Sequence, residues 1–369
     1  MKEVIVHPTP DIWTEIHETP VPTPGPNEIV IRVIVAGSNV KDWLHLTALN
    51  VSLNSGDDVA GIVHSLGSDV SKTSEFRTGD RVAAFHPMMT PHGAFAEYAV
   101  APQHTVFKIP AGTSFEEAAT IPLVITTAGI TLFRRQNLPP PWSPRTPSSS
   151  PIPLIIYGAS GALGTFAVKL ARASNIHPII AIAGANSTHV SPLLDEANGD
   201  TMIDYRVGPE ELKKTVKEKL SRAGLECHHA FDAISSKSGT WIPLSQMLTA
   251  ATPGNRSYLS VVSGANKYDE AEIQHGIEIV YTYVGTAHSG SYRTGMVKQP
   301  QDQELVRSDP EWTYVFFRYI AKMLAEGTLT GHPFVVVDGG LQGVEEGLRR
   351  LKAGEARGRK FVYRVSSED

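Results

Sequence analysis

Residues 154–173 read LIIYGASGALGTFAVKLARA, an apolar run followed by three glycines and then by small and apolar residues. The apolar run predicts a buried strand, and the residues after the glycines predict a helix. Gly158, Gly161 and Gly164 have the spacing G-x-x-G-x-x-G, which by itself is a weak signal. Between a strand and a helix, such glycines let backbone N–H groups and the helix N-terminus approach a pyrophosphate. The stretch therefore predicts a dinucleotide-binding unit.

The sequence around this stretch alternates between predicted strands and predicted helices, which indicates a parallel sheet covered on both faces. The predicted strands are LIIYG, HPIIAIAG, HHAFDAI and SYLSVVS, and the predicted helices cover 161–174, 189–197, 209–222 and 239–249. Before it, residues 139–153 (PPPWSPRTPSSSPIP) have the composition of an extended surface insertion.

The first 110 residues are predicted to be β-rich, as a barrel or sandwich, with strands in EIVIRVIVA (28–36), VAGIVHSLG (59–67) and RVAAFHP (81–87). A capping box at Ser114 predicts a helix start, and Pro122 should kink or divide that helix. A further helix is predicted over 309–327, with Asp309 as its cap. The last predicted strands, FVVV and KFVYRV, could return to the first domain.

Composition limits the classes of protein. At 369 residues, two domains are expected. A net charge of −5 with interspersed charges argues against nucleic-acid binding and against an anionic lipid surface. The single cysteine, Cys227, cannot form an internal disulfide, and no apolar run approaches the ~18 residues of a membrane span. We therefore expect a soluble, cytoplasmic protein without a membrane segment.

The second strand of the parallel sheet indicates which dinucleotide is bound. A binder of NAD usually ends this strand with an acidic residue that bonds the ribose hydroxyls. Here the strand ends AIAGANSTH (181–189), and no carboxylate occurs before Asp195. Amide and hydroxyl donors tolerate a 2′-phosphate, so NADPH is the expected cofactor. Tyr205 and Arg206, after the third strand, are candidate phosphate contacts or solvated loop residues.

Two groups of residues that contain histidine could have other roles. Cys227, His228 and His229 lie on a predicted strand, where neighbouring side chains point to opposite faces, so we predict no metal site there. His86 and His92 either line a substrate pocket or stabilise loops.

Several stretches together resemble the medium-chain dehydrogenase/reductase superfamily over nearly the whole chain. They are GDDVAGIVHSLGSDV (56–70), FRTGDRVAAF (76–85), HGAFAEYAVAP (92–102) and EEAATIPLVITTAG (116–129), followed by the glycine turn. The resemblance implies an α/β protein with a GroES-like β-rich catalytic domain, residues 1–122 and 290–369, and a Rossmann domain with a doubly wound parallel sheet, residues 123–289.

Zinc-dependent members of this superfamily carry a cysteine near the position of Ser38 and Asn39, and His-Glu where this chain has Asp57 and Asp58. Many also have a four-cysteine lobe, which one cysteine cannot form. The chain thus resembles the zinc-independent branch of quinone oxidoreductases and enoyl reductases, including fungal trans-acting enoyl reductases that serve polyketide synthases.

The resemblance also implies site residues. Asn39 would contact the nicotinamide ribose, or be a turn residue that fixes its own backbone. Thr127 would contact the nicotinamide, or bond within its helix. The implied cofactor contacts are Gly158, Ser160, Gly161, Ala162, Leu163 and Gly164 at the pyrophosphate, Ser187 and Tyr205 at the 2′-phosphate, and Val262 and Gly285 at the nicotinamide.

One motif departs from the trans-acting enoyl reductases, which often read N-P-x-D-W-K. Here Val40 replaces the proline and Leu44 replaces the lysine. Lys41 and His45 are the neighbouring candidates for a proton donor, unless they are surface residues. The departure weakens the expectation of a polyketide-synthase role more than that of the reductase chemistry.

These features predict a zinc-independent, NADPH-dependent reductase. Reducing an isolated ketone requires a strong electrophile at the oxygen, whereas hydride addition to an activated C=C or a quinone gives a delocalised anion.

One alternative is a trans-acting enoyl reductase, whose carrier partner would need a basic surface. The only candidate surface is Arg349, Arg350, Lys352, Arg357, Arg359 and Lys360, which also fits a solvated helix end. The other alternative is a non-catalytic NADPH-binding protein. A homodimer is the expected assembly.

Overall fold

The structure is a computed structural model, and it describes residues 1–185, 187–235, 238–288 and 303–368. The chain divides into two compact units. The first contains Met1–Val124 with residues 285–288 and 308–368, and the second contains Ile125–Val284 with residues 303–307.

The regular elements account for both units. The strands are β1 (Lys2–His7), β2 (Trp13–Glu18), β3 (Glu28–Gly37), β4 (Asp58–Leu66), β5 (Arg81–Phe85), β6 (Tyr98–Pro102), β7 (Val106–Lys108), β8 (Leu154–Tyr157), β9 (Ile179–Ala183), β10 (Thr201–Asp204), β11 (His229–Asp232), β12 (Tyr258–Val261), β13 (Glu278–Tyr281), β14 (Phe334–Val336) and β15 (Lys360–Arg364). The helices are α1 (Lys41–Leu49), α2 (Ser68–Thr73), α3 (Phe115–Ala118), α4 (Pro122–Gly129), α5 (Ala162–Ala173), α6 (Pro209–Ala223), α7 (Trp241–Ser245), α8 (Gln303–Arg307), α9 (Asp309–Ala325) and α10 (Val344–Lys352).

The first unit is built on a seven-stranded, mostly antiparallel sheet with the strand order β14-β15-β3-β4-β5-β7, and β6 also pairs with β3. The β-rich character predicted for the first 110 residues is confirmed. The C-terminal strand β15 pairs with β3, with Val362 opposite Gly37, so the end of the chain does return to the first unit. Val and Ile side chains of β3 and β4 form the centre of its core.

The second unit contains a six-stranded parallel sheet with the order β10-β9-β8-β11-β12-β13. The strand order reverses at β8, which pairs with β9 on one side and with β11 on the other. In such sheets, ligands bind outside the carboxyl ends of the strands at this point. The glycine turn follows β8 directly, so it lies at this edge.

Three local predictions need correction. The helix predicted over 189–197 is instead two 3₁₀ turns, Ser191–Leu193 and Glu196–Asn198, since Pro192 cannot donate a helical hydrogen bond. The helix predicted over 239–249 shortens to α7. The N-cap of α9 is Ser308, not Asp309.

The predicted capping box at Ser114 forms only in part. The Ser114 hydroxyl accepts the Glu117 amide at 3.1 Å. The Glu117 carboxylate accepts the Gly331 amide instead of returning to Ser114. As predicted, Pro122 begins a separate helix.

The stretch Phe115–Arg135 is long and apolar enough to cross a membrane by length and composition, which corrects the expectation that no stretch would be. However, 89% of its apolar window is buried inside the protein. This burial shows that the stretch is a core segment of the protein.

Candidate active site

Each of the three glycines in the turn after β8 is a glycine for a different structural reason. Gly158 has a φ of +78°, and a Cβ there would lie 2.5 Å from Cγ1 of Ile234. A Cβ on Gly164 would lie 2.7 Å from Cα of Ala159. The fold itself therefore requires glycine at both positions.

Gly161 differs from its two neighbours in the motif. Only the Gly158 carbonyl oxygen, at 3.5 Å, would lie within contact of a Cβ at residue 161. Gly161 is the N-cap of α5, and no side chain caps the helix there. Open space in front of uncapped N–H groups at a helix N-terminus fits the approach of a pyrophosphate.

The loop after β9 brings the predicted 2′-phosphate residues together. The Ser187 amide donates to the Gly184 carbonyl at 3.0 Å, and Cε1 of Tyr205 lies 3.6 Å from the position of a Cβ on Gly184. His189 Nε2 lies 3.0 Å from the Ser160 carbonyl oxygen, which joins this loop to the glycine turn. Ser160, Ser187 and Tyr205 thus belong to one contiguous surface of the second unit.

A carboxylate that the sequence did not indicate lies beside this loop. Asp204, at the end of β10, accepts two hydrogen bonds from Nε of Arg206 and one from its Nη2, and the Ala185 amide also stabilises it. Hydrogen bonding to Arg206 lowers the pKa of Asp204 to about 2. The guanidinium therefore neutralises a carboxylate that could otherwise mimic the ribose-binding acid of an NAD site.

A second network fixes the loop after β11. Asp232 is buried and accepts the Ser235 amide at 2.8 Å and the Ile234 amide at 3.1 Å. The Ser235 hydroxyl accepts the Val262 amide at 2.9 Å, so the ends of β11 and β12 are tied together. The positive φ of Ser235, +46°, is a constraint that no sequence motif revealed. This hydrogen bond fixes the backbone of Val262, a predicted nicotinamide neighbour.

The other predicted residues of the nicotinamide region are buried. Thr127 lies on α4 and is 6% exposed. Gly285 lies in the short turn Val284–Ala287, and its carbonyl accepts the His288 amide at 3.1 Å. Their roles toward a nicotinamide stay predictions.

Asn39 belongs to a buried polar cluster of the first unit. Its side-chain amide donates to Asp58 at 2.9 Å and accepts from the Lys360 ammonium at 3.1 Å. Lys360 also forms an ion pair with Asp58, and Asp58 accepts the Leu123 amide at 2.7 Å. Lys360 is therefore not part of a solvated basic surface, as its sequence neighbours suggested. It is a buried cation that the sequence did not reveal.

Lys41 belongs to a second buried group beside the first. Its ammonium bonds Asp42 at 2.9 Å, forms an ion pair with Asp57 and donates to the Ser55 carbonyl at 2.5 Å. Burial raises the pKa of Asp42 and of Asp57 to about 7. Burial also acts to lower the pKa of Lys41, but the two carboxylates raise it above its ordinary value.

Two buried histidines near this group, His45 and His86, are neutral at pH 7. Burial lowers the pKa of His45 and of His86 to about 4. Nδ1 of His86 lies 2.6 Å from the Val100 carbonyl oxygen, an arrangement that stabilises the loop. His92 has a φ of +69°.

The described residues, 1–185, 187–235, 238–288 and 303–368, also bear on metal binding. Among them, no group of three or more His, Cys, Asp or Glu side chains could hold a metal ion. His228 bonds Ser257 at 2.7 Å and His229 bonds Gln136 at 3.0 Å, while Cys227 is buried. Each of the three side chains is thus engaged by a different part of the second unit.

Comparisons with known proteins agree with this architecture. Residues 25–111 match the alcohol dehydrogenase GroES-like domain. Trans-enoyl reductase fsr4 of Gibberella fujikuroi is 35% identical over 93% of this chain and 92% of its own length.

Solved structures share the fold at lower sequence identity. A quinone oxidoreductase of Pseudomonas syringae pv. Tomato has a TM-score of 0.68 and 21% identity over 98% of this chain and 99% of its own. Mycobacterial Rv1454c, solved with NADPH, has a TM-score of 0.69 and 17% identity over 98% of this chain and 99% of its own. The chain, an oxidoreductase by these relationships, belongs to the medium-chain dehydrogenase/reductase superfamily, in the branch that contains the trans-enoyl reductases.

Proposed function

We propose that this protein is a cytoplasmic, NADPH-dependent and zinc-independent reductase of activated C=C bonds in α,β-unsaturated carbonyl compounds, or of quinones. The pairing of Asp57 and Asp58 with Lys41 and Lys360 carries the proposal. These two carboxylates stand where zinc-dependent relatives have ligands, and each is already bonded to a buried ammonium. A zinc ion would have to displace those lysines, and it would find no thiolate or imidazole at Ser38 or Asn39.

The preference for NADPH is supported by the loop after β9. Ser187 and Tyr205, two residues with hydroxyl donors, both lie next to Gly184, and Arg206 neutralises Asp204. Hydroxyl donors and a guanidinium favour a phosphate dianion, whereas the ribose diol of NADH would be better served by a free carboxylate. A relative of this fold binds NADPH, which agrees with the assignment.

The residues of the chain would hold and orient the reactants. Bound NADPH supplies a hydride, which adds to the β-carbon of the alkene or to the quinone. The glycine turn would bind the pyrophosphate through backbone N–H groups, and Val262 and Gly285 would border the nicotinamide. Asn39 and Thr127 are proposed to orient the nicotinamide and its ribose. In the enone or enoyl case the resulting enolate then takes up one proton.

Metal content and cofactor oxidation test this proposal together. Purified protein should contain no stoichiometric zinc, and it should oxidise NADPH faster than NADH with a quinone, a simple enone or a 2-enoyl thioester. A saturated ketone should not be reduced, because an isolated ketone needs a stronger electrophile. Stoichiometric zinc or ketone reduction would refute zinc independence. Tight NADPH binding without any turnover would favour the non-catalytic alternative.

A second candidate is a trans-acting enoyl reductase whose substrate is bound to a carrier protein. The similarity to a trans-enoyl reductase over 93% of the chain favours it. Against it, three of the basic residues near the C-terminus are already paired with carboxylates. Arg349 pairs with Glu345, Arg350 with Glu355 and Lys352 with Asp11.

Comparing one enoyl group on two supports distinguishes the candidates. The same 2-enoyl chain is offered as a short free thioester and attached to an acyl carrier domain of a polyketide synthase. A kcat/KM at least about tenfold higher for the carrier-bound form, equivalent to about 1.4 kcal/mol, would establish the carrier as a partner. Equal values would leave the free small molecule as the substrate.

A further inference from the structure

Lys41, Asp42 and Asp57 form a compact buried trio in the first unit. Lys41 retains 10% side-chain exposure, whereas Asp42 and Asp57 retain 0% and 1%. The lysine is therefore the member through which the trio meets the surface. The two carboxyl groups lie behind it, on α1 and on the segment just before β4.

The charge of the trio is unbalanced when both carboxyl groups are ionised. One ammonium then faces two carboxylates in a site with little water, and a net negative charge is costly to bury. Two carboxyl groups that share one cation hold a proton more readily than either would alone. Burial raises the pKa of both to about 7, so the pair carries a proton for part of the time at neutral pH.

We propose that Lys41 is the proton donor of the reduction and that the Asp42–Asp57 pair returns the proton to Lys41 after each turnover. The inference rests on the proposed function and adds its missing acid. Hydride addition to the β-carbon leaves an enolate. An Nζ–H bond of Lys41 then breaks as a C–H bond forms at the α-carbon. The lone pair left on Nζ of Lys41 then takes up the proton held by the two carboxyl groups of Asp42 and Asp57. Water later reprotonates these carboxyl groups.

The order of proton affinities favours this direction. An amine with a pKa above its ordinary value takes a proton from a carboxyl group with a pKa near 7, and a thioester enolate is more basic than either. Other titratable groups around the trio are less suited. His45 and His86 are neutral at pH 7, and Asp58 is bound to Lys360. Tyr363, whose pKa burial raises, does not ionise.

The experiment compares a carbon acceptor with an oxygen acceptor. Reduction of a 2-enoyl thioester needs a proton at carbon, whereas the oxygens of a reduced quinone take protons directly from water. Lys41→Arg keeps a cation beside both carboxyl groups, but arginine does not release its proton. Lys352→Arg, at an exposed ion pair, is the matched control.

Lys41→Arg should lower the rate of NADPH oxidation with the enoyl thioester roughly 10²-fold. Its rate of quinone reduction and its Kd for NADPH should stay within about twofold of wild type. In the Lys352→Arg control, the enoyl reduction rate, the quinone reduction rate and the Kd for NADPH should all stay within about twofold of wild type. Enoyl reduction at the wild-type rate, or an equal loss with both acceptors, would overturn the proton-donor role. Wild-type protein that reduces neither acceptor would overturn the proposed function together with this inference.

Asp57→Asn provides a second test if Lys41→Arg does not fold. This variant keeps the Lys41–Asp42 ion pair but removes the stored proton. Its first turnover should run at the wild-type rate, and later turnovers should be several-fold slower, with a larger solvent deuterium isotope effect than wild type. A steady state and isotope effect identical to wild type would show that the pair does not return the proton.

Discussion

The ring of Tyr205 lies against Gly184, with its Cε1 atom 3.6 Å from the position that a Cβ would occupy at residue 184. Gly184, which follows β9, thus leaves room for this ring, and the Ser187 amide donates to the carbonyl of the same residue at 3.0 Å. The ring of Tyr157 lies 6.3 Å from that of Tyr205, centre to centre. An aromatic wall with hydroxyl donors suits the phosphorylated ribose of NADPH.

Combining Tyr205→Phe with Ser187→Ala should raise the KM for NADPH at least about 10²-fold, because each of the two lost hydrogen bonds to a charged group contributes about 1.5–3 kcal/mol. The KM for NADH should change less than about twofold, since NADH has no 2′-phosphate. Tyr314→Phe, at an exposed site of the first unit, serves as the control. Equal increases for both cofactors would exclude these hydroxyls as the phosphate contacts.

Alanine substitutions within the glycine turn should separate folding from binding. Gly164→Ala should lower the free energy of unfolding by about 1–3 kcal/mol, because the new Cβ overlaps the backbone of residues 158 and 159. Gly161→Ala should keep the wild-type Tm but raise the KM for NADPH at least tenfold, because its Cβ would project toward the proposed pyrophosphate. Thermal unfolding and cofactor titration of both variants check this. A Gly161→Ala protein with unchanged cofactor affinity would place the pyrophosphate elsewhere.

The sequence predicted what depends on local pattern. The buried strand β8 is a continuous apolar run, β3 is apolar apart from Glu28 and Arg32, and the glycine turn lies within a single strand-to-helix unit. The predictions failed where proline interrupts a short apolar segment, as at Pro192, because hydrophobic spacing alone does not distinguish a helix from a 3₁₀ turn. Periodicity also cannot show that Glu117 bonds Gly331, since the partner is 214 residues away.

The candidate site was predicted only in part for the same reason. Ser187 and Tyr205 could be proposed because each follows a recognisable strand, and their roles stay predictions. The pair of Lys360 and Asp58 spans 302 residues and exists only because β15 pairs with β3. In the sequence, Lys360 sits among exposed arginines, and nothing nearby indicates that its ammonium is buried.

His86 should make the protein sensitive to acid. Its pKa in the folded state is lowered from 6.5 to about 4, so its contribution to stability is complete above pH 6.5 and is lost as the pH falls toward 4. The loss amounts to at most about 3 kcal/mol. The pKa values of Asp42 and Asp57 are raised in the folded state, so these two groups add stability as the pH falls over this window, which opposes the effect of His86. The measurement is therefore the slope of the unfolding free energy against pH for a variant relative to wild type.

His86→Asn should make that slope less steep on the acid side, while His275→Asn, at an exposed site, should leave it unchanged. Urea unfolding at several pH values between 4 and 7 gives both slopes. A His86→Asn slope equal to that of wild type would show that His86 is not the group that destabilises the fold in acid.

Removing one partner of the Lys360–Asp58 pair should be more harmful than removing both charges. Lys360→Met leaves Asp58 buried without its cation and should cost about 3–5 kcal/mol of unfolding free energy. Adding Asp58→Asn to Lys360→Met should recover a substantial part of that loss, because the uncompensated charge disappears while the side-chain oxygen can still accept the Leu123 amide. Lys322→Met, at an exposed ion pair, should leave the unfolding free energy nearly unchanged. Additive losses in the double variant, measured by chemical denaturation, would show that the two side chains stabilise the fold independently and that the buried ion pair is not the unit that matters.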